Sequence, residues 1–241
     1  METKNFKRVM VWEMPIRFFH WINVLTIIVL TITGFIIANP PALHSSAEAT
    51  NLHLFGLVRF IHFGAAYIFF FNMILRLYWS LVGNQFANWR AFWPFSRKIW
   101  NNFWHVLKID IMLLNEDHPD VRNISIGHNS IAILSYLALF FLALIQVFTG
   151  FALYADTSGW WLPKLFSWVI PLFGGDFMVR TIHHISTWIF ILFSLIHVYL
   201  VFYHDWLEGR GEVSSMFGGY KFVREDRIKK DSETSEKEHK N

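Results

Sequence analysis

The sequence contains no cysteine but has twelve histidines. A chain without thiols forms no disulfides, holds no cysteine-ligated iron–sulfur cluster and attaches no c-type haem through a CxxCH motif. Histidine therefore becomes the leading candidate for any metal chemistry. The formal net charge of +3 is small, and nothing in its distribution indicates a nucleic-acid partner.

Charge is the second scarce feature. Only 16% of the residues are charged, 54% are hydrophobic, and four long stretches carry no Asp, Glu, Lys or Arg: 18–41, 60–75, 123–155 and 181–204. About 20 apolar residues suffice to cross a bilayer as a helix. Lipid offers no partners to an exposed backbone, so such segments are helices rather than strands.

The predicted fold is therefore an all-α integral membrane protein with a four-transmembrane-helix bundle. Residues 1–206 form its membrane domain, and residues 207–241 form a charged tail whose last part we expect to be disordered. The predicted spans lie near 17–38, 57–81, 130–154 and 181–204.

The first span resembles a signal peptide in one respect, because Lys4, Lys7 and Arg8 precede it. Its apolar run is longer than a usual signal-peptide core, and further spans follow. We expect it to be a retained helix.

Basic residues predict the topology. The N-terminal segment has four Lys and Arg residues, the second loop five and the tail eight, whereas the first and third loops have one and two. Cytoplasmic loops are rich in Lys and Arg. Both termini and the second loop are thus predicted to be cytoplasmic, with the first and third loops in the periplasm of a bacterium. The implied location is the bacterial cytoplasmic (inner) membrane.

Two loop segments are rich in aromatic residues. Residues 86–114 mix Trp and Phe with basic residues, and residues 159–173 are similarly aromatic but nearly uncharged. Both have the texture of amphipathic segments lying in the interfacial layer. Docking surfaces for a partner subunit are the alternative interpretation, which is stronger for residues 159–173.

Histidines recur in the fourth span at a helical spacing. His183 and His197 are 14 residues apart. At roughly 100° and about 1.5 Å per residue, this spacing puts both rings on one helix face, separated by roughly 21 Å along the axis. His184 points about 140° away from His197, so we expect His183 rather than His184 to act together with His197.

The other helices supply histidines at matching depths. His20 begins the first span at the inner surface, and His62 begins the second at the outer surface. Antiparallel neighbours then pair His20 with His197 and His62 with His183. Two facing imidazoles suit a haem iron held from both sides, whereas a structural zinc site normally takes four protein ligands. The pattern predicts an inner and an outer haem iron, which transfer electrons.

Arginine side chains are candidate contacts for the haem propionates. Arg76 lies 14 residues after His62, so it shares that face near the inner surface. Arg59 and Arg180 lie at the outer level. An ordinary arginine reaching for the headgroup layer is the alternative for Arg76. Gly34, Gly64 and Gly150 are candidate positions where a missing side chain makes room.

Several stretches of the sequence carry a family resemblance, and together they run from about residue 9 to 222. They include WEMPIRFFHW, GLVRFIHFGAAYIF, RLYWSLVGN, IGHNSIA, TGFALY, IHHISTW, IHVY and VSSMFGGYK. In this order and spacing they resemble the b-type cytochrome (di-haem membrane) subunit of membrane-bound nickel–iron hydrogenases. One departure is Arg180, where the family pattern often has a histidine.

The resemblance implies two haem b groups with ligands at His20, His62, His183 and His197. It implies an electron-transfer subunit, not the hydrogen-activating one, that anchors a periplasmic hydrogenase. Electrons would pass from the iron–sulfur small subunit, which partners the large subunit, across the membrane to quinone. A higher oligomer of the complex is also compatible with the resemblance.

By the same resemblance, His128 and Asn129 form a candidate quinone site. Both can hydrogen-bond a quinone carbonyl, and a histidine can exchange the proton that quinone reduction needs. The alternative is an ordinary helix cap at Asn129 next to a surface histidine.

Two other functions stay open. The same relay could serve another periplasmic dehydrogenase, such as formate dehydrogenase. A haem-free anchor or metal transporter is the second alternative, although a transporter should show acidic residues or broken helices within its spans.

Overall fold

A computed structural model describes residues 6–40, 53–89, 130–208 and 211–224. The described elements are, in chain order, β1 (Phe6–Met10), α1 (Met14–Ala38), α2 (Leu54–Val82), α3 (Ser130–Ala155), α4 (Trp161–Lys164), α5 (Val169–Leu172), α6 (Asp176–Glu208), α7 (Glu212–Gly218) and β2 (Tyr220–Arg224). His128, Asn129, most of 86–114 and residues 225–241 lie outside the described residues.

Four of the described helices are long and apolar enough to cross a membrane: Met14–Ala38, Leu54–Val82, Ala132–Ala155 and Asp176–Tyr203. Each exceeds the roughly 20 residues that a bilayer core requires. The predicted all-α membrane fold with four spans is confirmed. The cytoplasmic placement of both termini stays a prediction.

Two compact units are distinguished within the chain. The helical unit comprises residues 18–78 and 136–194, and the sheet unit includes the described parts of 1–17, 79–135 and 195–241. The core of the helical unit joins all four long helices. Phe69 from α2, Val147 from α3 and Phe190 from α6 are buried in one cluster, against which Ile27 and Leu30 of α1 pack.

The predicted aromatic segment 159–173 contains two short helices, α4 and α5. Leu162 and Val169 point inward and are buried, while Trp160, Trp161 and Trp168 are exposed. This one-sided distribution is that of an amphipathic segment.

The sheet unit contains a two-stranded antiparallel sheet that the sequence did not predict. β1 pairs with β2 over its five residues, with Phe6 opposite Arg224 and Met10 opposite Tyr220. The pairing joins segments at opposite ends of the chain, so no local turn signal announces it.

A half-buried carboxylate secures the same unit. One carboxylate oxygen of Glu13 accepts hydrogen bonds from the Trp79 indole nitrogen at 2.9 Å and the Asn84 backbone N–H at 3.0 Å. The Asn84 side chain donates to the Val11 carbonyl at 3.1 Å. The start of α1 is thereby attached to the end of α2.

Gly219 closes α7 in a backbone conformation that favours glycine. Its φ is +84°, and its carbonyl accepts hydrogen bonds from the backbone N–H groups of Val11 and Trp12 at 2.9 and 3.1 Å. A Cβ at Gly219 would lie 2.7 Å from the Trp12 carbonyl oxygen. The turn from α7 into β2 therefore depends on the missing side chain.

Replacing Gly219 with alanine is expected to destabilise the sheet unit. The left-handed conformation alone costs an alanine about 1–2 kcal/mol, and the contact with Trp12 adds to it. Thermal unfolding of purified Gly219→Ala should show a lower midpoint than wild type. Gly218→Ala is the matched control, because a Cβ at Gly218 meets nothing within 4 Å. Equal midpoints for the two variants would contradict this account.

Candidate cofactor site

His62 of α2 is held by two adjacent residues of α1. The Thr33 hydroxyl oxygen lies 2.8 Å from Nδ1 of His62. At the neighbouring Gly34, a Cβ would lie 3.4 Å from Cε1 of the same ring. The hydroxyl thus fixes one ring nitrogen, and the glycine lets the ring approach the helix backbone.

His183 of α6 is held in the same way by α3. The Thr149 hydroxyl oxygen lies 2.9 Å from Nδ1 of His183. A Cβ at Gly150 would lie 3.1 Å from Cε1 and 3.7 Å from Nδ1 of that ring. The glycine is needed more strictly here, because 3.1 Å is closer than an ordinary carbon–carbon contact.

A glutamine fixes the backbone of His183 as well. The Gln146 amide nitrogen donates to the His183 carbonyl oxygen and to the Thr187 hydroxyl, both at 3.0 Å. Thr187 also donates to the His183 carbonyl, at 2.9 Å. Both the ring and the backbone of His183 are therefore secured.

The two rings belong to the same helical unit. Each ring has its Nδ1 engaged by a threonine. In the described part of the chain, no cluster of three or more His, Cys, Asp or Glu side chains is arranged to hold a metal ion. Two imidazoles could hold a haem iron between them, and that His62 and His183 do so stays a prediction.

Arg59 and Arg180 occupy equivalent positions, each three residues before one of these histidines. Both are exposed. The Arg59 guanidinium carbon lies 5.8 Å from the centroid of the Phe63 ring, at the outer limit of a cation–π contact. One helical turn from the rings, both arginines are placed for anionic groups of a bound cofactor, and that role stays a prediction.

Arg76 is buried, with only 4% of its surface exposed. It is hydrogen-bonded to Tyr136, and its guanidinium carbon lies 5.1 and 5.9 Å from the ring centroids of Tyr136 and Phe19. Phe19 directly precedes His20. The cation is therefore held at the depth of His20, where a propionate contact is predicted.

The remaining predicted histidines are placed as follows. His20 is half-buried in the helical unit, with its ring 5.2 Å from that of Trp21. His197 belongs to the sheet unit and is exposed, as is His184. The pairing of His20 with His197 stays a prediction. His128 and Asn129 lie outside the described residues, so the quinone site stays one too.

Thr33, Thr149 and Gln146 are site residues that the sequence reasoning missed. A signal was available, because the chain repeats two short patterns. TGF occurs at 33–35 and again at 149–151, and RxIH occurs at 59–62 and again at 180–183. Each TGF lies on the helix that holds the histidine of one RxIH.

Four apolar spans among the described helices, with two histidines held alike in one helical core, fit the class of membrane cytochromes. The family model described as prokaryotic cytochrome b561 matches residues 11–219. The chain belongs to this family.

Curated relatives match along nearly the whole chain. A protein of Azotobacter chroococcum mcd 1 is 38% identical over 224 residues, covering 91% of this chain and 90% of the relative. One from Cupriavidus necator is 36% identical over 226 residues, covering 92% and 90%. Both are described as "Probable Ni/Fe-hydrogenase B-type cytochrome subunit". The "Probable Ni/Fe-hydrogenase 1 B-type cytochrome subunit" of Escherichia coli K12 is 33% identical over 217 residues, covering 88% and 89%.

Membership of a b-type cytochrome family implies haem b as the cofactor. The residues at the His62–His183 site fit that group. The two ligating groups are imidazoles in an apolar helical core. The glycines beside them leave space for the imidazole rings that a side chain would otherwise fill.

Filling that space is expected to disturb haem binding. In Gly150→Val, the added carbons would press on the His183 ring, and overpacking of this kind costs about 1–3 kcal/mol. Haem per chain, measured as the pyridine haemochrome, should fall below the wild-type value. Gly56→Val, at an exposed position of α2 with nothing within 4 Å of a Cβ, should keep it. Full haem content in Gly150→Val would show that haem binding does not require the close approach of the His183 ring to Gly150.

Proposed function

We propose that this chain is the b-type cytochrome subunit of a nickel–iron hydrogenase, which carries electrons from the hydrogenase to quinone in the membrane. The names and extent of the curated relatives support the association with hydrogenase. The absence of cysteine from the chain agrees with this division of labour, because the iron–sulfur clusters would then belong to the partner.

The observation that carries the proposal is that His62 and His183 are held by equivalent contacts. His62 and His183 come from different helices, and each has its Nδ1 engaged by a threonine next to a glycine. A histidine that served only to join two helices would need no second histidine held in the same way. Two matched imidazoles in one apolar unit are what axial ligation of one iron requires.

We assign one haem b to His62 and His183, the outer site, and a second to His20 and His197, the inner site. Haem would supply a one-electron iron couple, and the four histidines would serve only to hold it, two at each iron. His183 and His197, 14 residues apart on α6, separate the two levels by roughly 21 Å along the helix. This spacing suits an electron relay across the bilayer.

The direction of transfer follows from the predicted topology. The periplasmic hydrogenase would dock on the side of His62 and His183, with its iron–sulfur small subunit delivering electrons there. Quinone would be reduced on the cytoplasmic side, near His128 and Asn129. Moving one charge across the membrane is then worth about 2.3 kcal/mol per 100 mV, so the subunit would contribute to the membrane potential.

The decisive experiment compares two neighbouring histidines in the intact hydrogenase complex. His183→Ala should remove the outer haem and stop hydrogen-driven quinone reduction, because that iron loses an axial ligand. His184→Ala should keep both haem content and activity, because His184 is exposed on another face of α6. Haem is quantified as the pyridine haemochrome, and activity as quinone reduction under hydrogen. Full haem content in His183→Ala would refute the proposal.

Arg76 offers an independent test at the inner site. A buried cation near a haem favours the reduced, less positive iron, so Arg76→Gln should lower the midpoint potential of one haem. Arg76→Lys keeps the charge and should shift it less. Potentiometric titration of the haem absorbance measures both variants. Unchanged potentials in Arg76→Gln would place the arginine away from the cofactor.

A further inference from the structure

Both threonines at the outer site use their hydroxyl proton within their own helix. The Thr33 hydroxyl lies 2.6 Å from the Val29 carbonyl oxygen, and the Thr149 hydroxyl lies 2.6 Å from the Ile145 carbonyl oxygen. These are short hydrogen bonds, and a carbonyl oxygen can only accept. The single hydroxyl proton of each threonine is therefore committed to the backbone.

The alternative proton placement is unfavourable. If a threonine donated to its histidine instead, its oxygen would face the carbonyl oxygen 2.6 Å away with no proton between them. Only lone pairs remain on each hydroxyl oxygen, so Nδ1 of His62, 2.8 Å from Thr33, must be the donor. The same holds for Nδ1 of His183, 2.9 Å from Thr149.

A second acceptor supports this assignment at His62. The Leu30 carbonyl also lies within hydrogen-bonding range of the His62 ring. Thr33 is 3.4 Å from the same carbonyl oxygen. Both of these partners of the His62 ring are acceptors, and a neutral imidazole with its proton on Nδ1 has its lone pair on Nε2.

We infer that Thr33 and Thr149 are positioning residues that set the tautomer, the ring orientation and the basicity of the two outer haem ligands. The inference rests on the proposed function in taking His62 and His183 as those ligands. Each hydroxyl holds the proton on Nδ1 and directs the Nε2 lone pair away from its own helix. Because hydrogen bonding to the far nitrogen raises ligand basicity, both bonds favour the oxidised iron.

The glycines complete the arrangement. Gly34 and Gly150 each follow their threonine directly. A Cβ at Gly150 would press on the His183 ring, and one at Gly34 would just contact the His62 ring. Threonine and glycine therefore work as a pair, in which one residue supplies the acceptor and the other the close approach. The two rings are held by equivalent hydrogen bonds, and both would hold the proposed iron.

Valine replaces the hydroxyl with a methyl group of nearly the same shape, so Thr33→Val and Thr149→Val test the inference. Each should leave haem per chain close to wild type and raise the midpoint potential of the outer haem. Because this hydrogen bond should strengthen only in part on oxidation, its loss should change the oxidised-to-reduced ratio about two- to fivefold. The low-spin ferric electron paramagnetic resonance signal should shift as well, because the ring is free to turn.

Two further variants separate orientation from packing. Thr33→Ser keeps the hydroxyl and should restore the wild-type potential and signal. Thr26 is the matched control on α1, since it is 4% exposed against 7% for Thr33 and its hydroxyl bonds the Ile22 carbonyl at 2.8 Å. Thr26→Val should leave the outer haem unchanged.

The outcomes distinguish a failure of the positioning role from a failure of the proposed function. Wild-type potential and signal in both Thr33→Val and Thr149→Val overturn the positioning role, while haem loss in His183→Ala would still uphold the proposed function. Haem loss in Thr33→Val supports the role if Thr33→Ser and Thr26→Val retain haem. Equal loss in Thr26→Val or Thr33→Ser overturns it, because packing alone then explains the defect.

Discussion

A histidine ring inside a bilayer must find its hydrogen-bond partners within the protein, because no water is present to supply them. His62 and His183 meet this constraint through threonines whose hydroxyls are already bonded to carbonyls of their own helices. The proton is thereby placed on Nδ1, and Nε2 is left as the ligating nitrogen. The orientation and basicity of the haem ligands, as proposed here, depend on this hydrogen bond and on the close packing that glycine permits.

The same solution occurs twice in the helical unit. α1 contributes Thr33 and Gly34 to the ring from α2, and α3 contributes Thr149 and Gly150 to the ring from α6. The repeated TGF and RxIH patterns give each ring an arginine one turn away and an aromatic residue after the glycine. Two helix pairs, α1 with α2 and α3 with α6, are here called hairpins. Each hairpin presents one histidine, so two equivalent hairpins give a site with two matched imidazoles.

The sequence was sufficient to predict the four spans, because long uncharged apolar stretches have few other uses. It also indicated His62 and His183, since helical spacing and antiparallel neighbours place them at one depth. It did not reveal Thr33 and Thr149, because a threonine in an apolar helix usually bonds only its own backbone, as Thr26 does. The repeated TGF pattern marks both threonines, but their role is recognised only once it is known which helix faces which histidine. The sheet was missed for a related reason, since β1 and β2 lie at opposite ends of the chain.

The two hairpins are alike at the rings but are fastened differently. In the second, Gln146 lies three residues before Thr149 and bonds the His183 backbone. In the first, the corresponding residue is Leu30, which cannot do so. In this hairpin the two helices are hydrogen-bonded further from the histidine. The Asn72 side chain of α2 donates to the Phe19 carbonyl and to the Asn23 side-chain oxygen, both at 2.9 Å.

Hydrogen bonds between membrane helices average about 0.6 kcal/mol each, so neither amide dominates the stability of its hairpin. Their placement matters more. Gln146 restrains the His183 backbone itself, whereas Asn72 joins α1 and α2 ten residues beyond His62. Gln146 therefore restrains His183 independently of Thr149, whereas the Leu30 side chain can offer His62 no such hydrogen bond. The two outer ligands are equivalent in their hydrogen bonds to threonine but not in the rigidity of the helices that present them.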